Sequence, residues 1–500
     1  MKTRILIVLT ALAEVCSLNA KAAEIIYPGC PVPPPEECVC DVLPDIYNYG
    51  LMFGAVGCET RKIIFSGFIQ TDYQFIDVQN RTEQFVPVTF MHKKDLKGEK
   101  IQGLVEVNDP SEVNNFAMRR VRLTTQAILG DNWSGLIELD FTSKDHGLRF
   151  NSPSTVVDTI ITTPNKHGIF GIADAYIEKY CANQFFRAGH RKVRFGYEEL
   201  IPDYELKNIE RSIASQYFSE PIQPSPLSGS PLGFDSRYVG IFWDGFYQGF
   251  NYGASLVNGF QGTDSCSDIT NNELGIFGGI GYMATFGCLD LEIGVNVGYL
   301  PKGNSRTLLL PNAAPVGVDD GIPAPLAITD GVGIRASIAG VNPYLSFSWN
   351  NAFYGWIEIL AARVQKGQDN GLTTANPIGV TIAPSYMWND CLELAFRASF
   401  LDTDFRGVRI SNVIHCAPDT TIFADDVGPF FAGDVYNKAR EFYIGFNYYW
   451  LNRAMMFSAG YEWAQFRDRG ISLAGTPISN SFQGAKTNVH QVRARLQLVF

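Results

Sequence analysis

Basic side chains recur at alternate positions along the chain. His190, Lys192 and Arg194 form one set, Arg120 and Arg122 a second, Arg493 and Arg495 a third, and Arg237 and Arg397 stand singly in comparable stretches. Alternate residues of a β-strand project to one face, so each set makes a short row of cations on one side of a sheet. Such rows can pass an anion, phosphate included, from one charge-assisted hydrogen bond to the next. Carboxylates interleave with them at Glu138, Asp140, Asp174, Glu178 and Glu393. The same arginines can therefore pair with these acids and brace a sheet wall. Both readings stay open on the sequence alone.

The stretch 197–233 carries the opposite balance, with Glu198, Glu199, Asp203, Glu205, Glu210 and Glu220 against Lys207 and Arg211. Cysteine placement is a third signal. Cys30, Cys38, Cys40 and Cys58 sit in a Pro-rich segment, and Cys181, Cys288 and Cys391 fall at or beside short turns; Cys266 and Cys416 lie in long links. Cys38-Val39-Cys40 has no second close pair with histidines, which argues against zinc. The first seven are disulfide candidates, stapling the Pro-rich segment to itself, to a barrel rim or to another envelope protein, with scattered unpaired thiols as the other reading. No Gly-x-Ser-x-Gly elbow, His-Glu-x-x-His helix or phosphate loop occurs. His146, His167 and His415 stand in long links, where chemistry is conceivable but solvated surface histidines are the rule. No enzyme activity, cofactor or metal is expected.

The elements that must position these residues are strands. From residue 62 onward the chain repeats a segment of about 10 to 14 residues with alternating polarity, followed by a connection that is in turn short or long. Sixteen such segments can be drawn. Phe65, Ile69, Tyr73 and Phe75 fall on one face of the first, with Ser66, Gln70, Asp72 and Gln74 on the other. The polar face is expected to line a water-filled lumen. Short turns are expected near 130–132, 181–183, 245–247, 287–288, 351–352, 389–391 and 452–453, and long links at 77–115, 144–169, 197–233, 261–272, 301–335, 366–376, 402–436 and 468–485. Hydrophobic content of 46% and the lack of an apolar run long enough to span a bilayer as a helix exclude helical membrane proteins. A net charge of -11 argues against nucleic acid as a partner. The expectation is an all-β transmembrane antiparallel barrel over 62–500, with short turns on the periplasmic side and long loops outside. A basic, then apolar leader is expected over 1–22, ending at Ala20-Lys21-Ala22, followed by a Cys/Pro-rich periplasmic extension over 23–61. The closing run Val492 to Phe500 alternates strictly, and Phe500 reads as the aromatic signal by which outer-membrane barrels are assembled.

Several of these residues carry a resemblance. The runs Phe116 to Leu123 and Ile137 to Phe141, Asp174-Ala175-Tyr176, Gly189 to Glu199, Glu210-Arg211-Ser212, Gly445 to Tyr449 and Arg495 to Phe500 are similar to the pattern of the phosphate-selective porin O/P family. The resemblance implies a sixteen-stranded homotrimeric channel in the outer membrane of a Gram-negative-type bacterium, set among membrane lipids and lipopolysaccharide. It implies that 197–233 folds inward as a constriction and that interior basic residues guide anions. Two features depart from it: the stretch 197–233 is acidic, and Arg194 replaces a proline common after the strand lysine, here Lys192. Passive diffusion of small hydrophilic solutes is therefore the leading expectation, with anion or phosphate preference as its refinement. The competing expectation is a disulfide-linked structural or adhesive surface protein.

Overall fold

The computed structural model describes residues 51–53, 61–79, 86–91, 100–108, 112–129, 132–142, 171–219, 231–259, 273–308, 332–367, 373–415, 417, 421–424, 428–430, 433–472 and 486–500. The expected leader, most of the extension, and Cys30, Cys38, Cys40 and Cys58 lie outside them.

Alternating segments become β1 (Arg61–Gln79), β2 (Glu112–Leu129), β3 (Trp133–Asp140), β4 (Gly171–Cys181), β5 (Gln184–Lys192), β6 (Arg237–Tyr247), β7 (Phe250–Asn258) and β8 (Leu274–Phe286). They continue as β9 (Leu289–Leu308), β10 (Val332–Trp349), β11 (Phe353–Val364), β12 (Ile378–Asn389), β13 (Leu392–Asp402), β14 (Gly433–Trp450), β15 (Met455–Ser472) and β16 (Lys486–Val499). Each pairs antiparallel with its neighbours in chain order. β16 closes the cylinder by pairing Asn488–Val499 with Phe68–Gln79 of β1. Sixteen strands thus form a closed barrel, and Leu51–Phe53 adds a seventeenth, short strand beside Ile63–Phe65.

The period of two sets the faces. On β1, Gln70, Asp72 and Gln74 are buried inside. Outward residues are apolar and exposed, among them Phe116, Ile137, Ile177, Ile241 and Ile293. Trp133, Tyr247, Phe286, Trp349, Trp388 and Trp450 ring the short-turn end, as aromatic residues do at a lipid–water boundary. No helix among the described residues is long and apolar enough to cross a membrane, which says nothing of a β-barrel.

Boundaries shift where alternation breaks or outlives the wall. β9 runs past Leu300 to Leu308 through irregularities between Leu300 and Gly303 and between Asn304 and Arg306, which interrupt the period without ending the pairing. β5 stops at Lys192 rather than 196, because the alternating residues Val193 and Phe195 continue into the interior. The turn expected at 245–247 is Gln248–Gly249, both at positive φ (48° and 84°), the backbone of a two-residue hairpin.

The interior differs from the expected uniformly polar bore. At the long-link end, inward side chains turn apolar: Ile76, Val193, Tyr238, Phe277, Ile338, Leu360 and Phe466 belong to one buried cluster. Two segments entering from the long links fill its centre. One is α2 (Ile213–Ser219), which follows the shorter α1 (Tyr197–Leu200); the other is Thr403–His415, with α3 (Ile410–Val413). Val86–Met91, Lys100–Asn108, Thr421–Ala424 and Gly428–Phe430 form a four-stranded sheet separate from the barrel sheet, which ties the link after β1 to the link after β13.

Candidate functional site: a charged constriction inside the barrel

Past Lys192 the chain turns into the barrel, and backbone donors fix the entry. The Gly196 N–H donates to Asp235 Oδ2 (2.7 Å) and the Tyr197 N–H to Glu358 Oε2 (2.9 Å). Ser212 caps α2, its Oγ accepting the Ser215 N–H (3.1 Å). Glu198 accepts both the Ser212 N–H and the Ser212 hydroxyl (2.6 Å for the latter), and Glu441 accepts the Ile213 N–H at 2.8 Å. On the far wall, Gln497 and Asn447 donate to the carbonyls of Tyr204 (3.0 Å) and Lys207 (2.8 Å). The stretch read from the sequence as a constriction thus crosses the lumen and is tied to several strands; residues 220–230 of it lie outside the described set.

Its acids meet the wall's arginines. Glu210 is a hub: Arg119 Nε lies 2.6 Å away, Arg495 Nη2 2.6 Å, Arg120 Nη2 3.3 Å and Arg493 Nη1 3.5 Å. Arg495 also grips Asp72 through two 2.7 Å bonds. Burial alone would raise the Glu210 carboxyl, but Arg119, Arg120 and Arg495 hold it well below the usual carboxylate range. Asp203 behaves alike: burial is outweighed by Arg120, Arg211 and Arg122. Arg397 donates to Glu441 (Nε, 2.7 Å) and to the Glu210 carbonyl, with Glu462 3.4 Å away. Lys207 lies 3.4 Å from Glu393 and faces the rings of Tyr354 and Tyr449. Burial raises Glu205, opposed by Lys207.

Eight side chains close a circuit where the inward segment faces β2 to β6. Arg122 meets Glu138 (3.2 Å), Glu138 stands opposite Asp174 in register, and Asp174 binds Arg237 (2.9 Å). Arg237 stands opposite Lys192, Lys192 meets Glu199 (2.6 Å), and Glu199 forms an ion pair with Arg211 (2.8 Å). Arg211 binds Asp203, and Asp203 returns to Arg122 (2.7 Å). Four cations and four carboxylates balance in charge.

The row read as His190, Lys192 and Arg194 does not act as one ladder. His190 Nδ1 lies 2.9 Å from the Ala173 carbonyl, Lys192 faces Glu199, and Arg194 reaches Asn251 and Asn296. Sequence reasoning missed Arg119, which strict alternation sends into lipid. A bulge opposite Gln70 and Thr71 inserts it beside Arg120, so both point inward. The consecutive pair Arg119-Arg120 in a strand was the available signal, since an arginine facing hydrocarbon is costly. Also missed was the second inward segment. His415, read as a surface residue of a long link, instead lies inside with its carbonyl accepting from Arg493 (3.1 Å). Burial, with Arg119 close by, pushes its imidazole down to about 3. His146 and His167 lie outside the described residues. Cys181, Cys288 and Cys391 carry free thiols.

No protein-family profile and no curated protein sequence matches the chain. Solved structures resemble it at low identity. The outer-membrane channel DcaP of Acinetobacter baumannii is 13% identical, with 89% of this chain and 99% of that one covered and a TM-score of 0.48. An anion-selective porin from Comamonas acidovorans is 11% identical, with 88% and 100% covered and a TM-score of 0.46. OmpT of Vibrio cholerae, in a loop-deleted form, is 10% identical with the same coverage and a TM-score of 0.44. Likeness at this level transfers none of those proteins' activities to this chain.

Proposed function

We propose that the protein is a non-enzymatic channel of the outer membrane of a Gram-negative-type bacterium, admitting small hydrophilic solutes by passive diffusion through the constriction described above. The observation that carries this reading is a polar segment held across a lipid-facing closed barrel by charged wall residues, with a balanced charged circuit facing β2 to β6. Swelling of liposomes reconstituted with the full chain tests it: glycerol and small sugars should enter. Exclusion of glycerol would leave the second reading, a structural or adhesive surface protein. The apolar cluster at the long-link end and the sheet joining two links favour that one.

Anion preference, as the O/P resemblance implies, belongs here too. Its support is the convergence of Arg119, Arg120, Arg493 and Arg495 on Glu210, with Asp72 and Asp203 as the further acids they meet, and the contact of Arg194 with the amides of Asn251 and Asn296 rather than with an acid. Reversal potentials in a salt gradient decide it, and clear cation preference would end the phosphate idea. Trimer assembly, part of the same resemblance, is open to chemical cross-linking in detergent.

A further inference from the structure

The outward face of β14, β15 and β16 grades from hydrocarbon to charge. Ile444, Tyr461 and Val492 form one row across the three strands, and the next row toward the long links is Phe442, Trp463 and His490. Beyond these stand Arg440, Gln465 and Asn488, and then Lys438, Arg467 and Lys486 in a single register. The aromatic row is well packed: Phe442 stacks on Trp463 at 5.7 Å, and the Tyr461 hydroxyl lies 2.7 Å from His490 Nδ1. The Arg440 guanidinium lies over the Trp463 ring at 5.0 Å, and its shielded Nε has no hydrogen-bond partner among the described residues. Arg467 donates to Gln465 (2.6 Å), which in turn donates to Asn488 (2.8 Å). Lys438 meets Asp402 at 3.5 Å, the one carboxylate within ion-pair distance of these four cations among the described residues. Cations set opposite one another repel, so bracing of the wall does not account for the row. In a chain of net charge -11 it is a local excess of positive charge.

The height of the row matches a membrane boundary. Trp450 belongs to the aromatic ring at the short-turn end, and Arg440 and Lys438 precede it on β14 by ten and twelve residues. Strands that rise about 3.4 Å per residue and tilt about 40° carry those cations roughly 26–31 Å from the ring, just past an apolar band of about 25 Å. Long loops mark the outer side of such barrels, so the row meets the headgroups of the outer leaflet. We propose that this face binds lipopolysaccharide, the four cations meeting the phosphates of its lipid anchor while Phe442, Trp463 and Tyr461 lie along its acyl chains. Phosphate takes charge-assisted hydrogen bonds from arginine and lysine alike, and basic clusters beside a bilayer attract anionic headgroups within a Debye length. Both halves of such an amphiphile find their complement, in the order in which a leaflet presents them.

The inference goes beyond the channel reading and needs only the barrel's place in the outer membrane. The full chain in neutral detergent micelles is titrated with deep-rough lipopolysaccharide, with the same lipopolysaccharide stripped of its phosphates, and with phosphatidylglycerol, and binding is read by microscale thermophoresis. The phosphorylated form should bind about tenfold tighter, or more, than either of the others. Arg467→Gln with Lys486→Gln should weaken it about 25-fold, roughly fivefold for each charge removed. Lys486→Gln alone should cost about fivefold, which keeps the inference testable if the double variant does not fold. Arg363→Gln, which removes an exposed cation of β11 that stands opposite Ala339, should leave binding unchanged. Equal binding of the stripped form, equal binding of phosphatidylglycerol or an equal loss in Arg363→Gln would each overturn the inference, since apolar contact, any anionic headgroup or net charge would then account for the binding. Glycerol entry plays no part in these readouts, so failure of the channel reading leaves them intact.

Discussion

At the scale of single residues, Glu210 and His415 separate two pH dependences. Glu210 neutralises arginines from β2 and β16 at once. Removing one partner of a buried ion pair costs about 3–5 kcal/mol, so Glu210→Ala should lower stability by that order, read from urea unfolding in micelles. Because its folded pKa is depressed, the stability it contributes is present above the unfolded carboxylate value near 4 and is lost only as pH falls through its lower folded value. His415 acts earlier. Its folded pKa of about 3 lies below the unfolded value near 6.5, so proton uptake by the unfolded chain erodes stability as pH falls from 6.5 toward 3. The stability gap between the native chain and His415→Gln should therefore change steadily between pH 6.5 and 4; a constant gap would show that the imidazole is not buried as described. Gly189 is a third case. At φ +146°, a Cβ would lie 2.2 Å from the Ala175 carbonyl oxygen, and Gly189→Ala should cost on the order of 1–3 kcal/mol in the same assay.

At the scale of elements, the strands were legible because a half-buried wall writes a period of two into the chain, and turns declare themselves by length and composition. Leu392 to Leu401 shows it: Phe396 and Phe400 face outward and Glu393 and Arg397 inward, as the alternation implies. What the alternation could not show is where it outlives the wall, as at Val193 and Phe195, or where a bulge offsets it, as at Arg119. The segment Thr403–His415 was illegible for another reason. Its apolar residues Val408, Ile410, Val413 and Ile414 follow no repeat and are explained only by the cavity they enter. Arg406 fastens it to the other inward segment, donating to the Tyr217 hydroxyl (3.1 Å) and the Pro231 carbonyl (3.1 Å), while Val408 pairs with Tyr436. If this segment narrows the channel, replacing 406–414 with a glycine-serine bridge should raise single-channel conductance severalfold. Unchanged conductance would place the limiting constriction at the charged circuit instead. Ile410→Ala, which leaves the path of the chain intact, should cost about 2–5 kcal/mol through the cavity it creates.

At the scale of the whole molecule, closure of the cylinder keeps the three described cysteines at least four strands apart. Cys181 ends β4, Cys288 lies between β8 and β9, and Cys391 lies between β12 and β13, four strands from one to the next. Four strands at about 4.8 Å put neighbouring thiols ~19 Å apart along the rim. A disulfide needs Cα atoms within roughly 7 Å, so no two of these can join without tearing the wall. Cys288 and Cys391 are exposed, and any disulfide they form must therefore reach a cysteine outside the sixteen-stranded wall. Within the chain such cysteines are Cys30, Cys38, Cys40 and Cys58 of the Pro-rich segment and Cys266 and Cys416 of the long links; otherwise the partner belongs to another chain. Peptide mapping of the oxidised full chain, with thiols blocked before digestion, should find Cys288 and Cys391 linked to such partners or free, and never to each other. A Cys288–Cys391 peptide from folded, heat-modifiable protein would contradict the strand order itself, since only a different closure could bring those turns together.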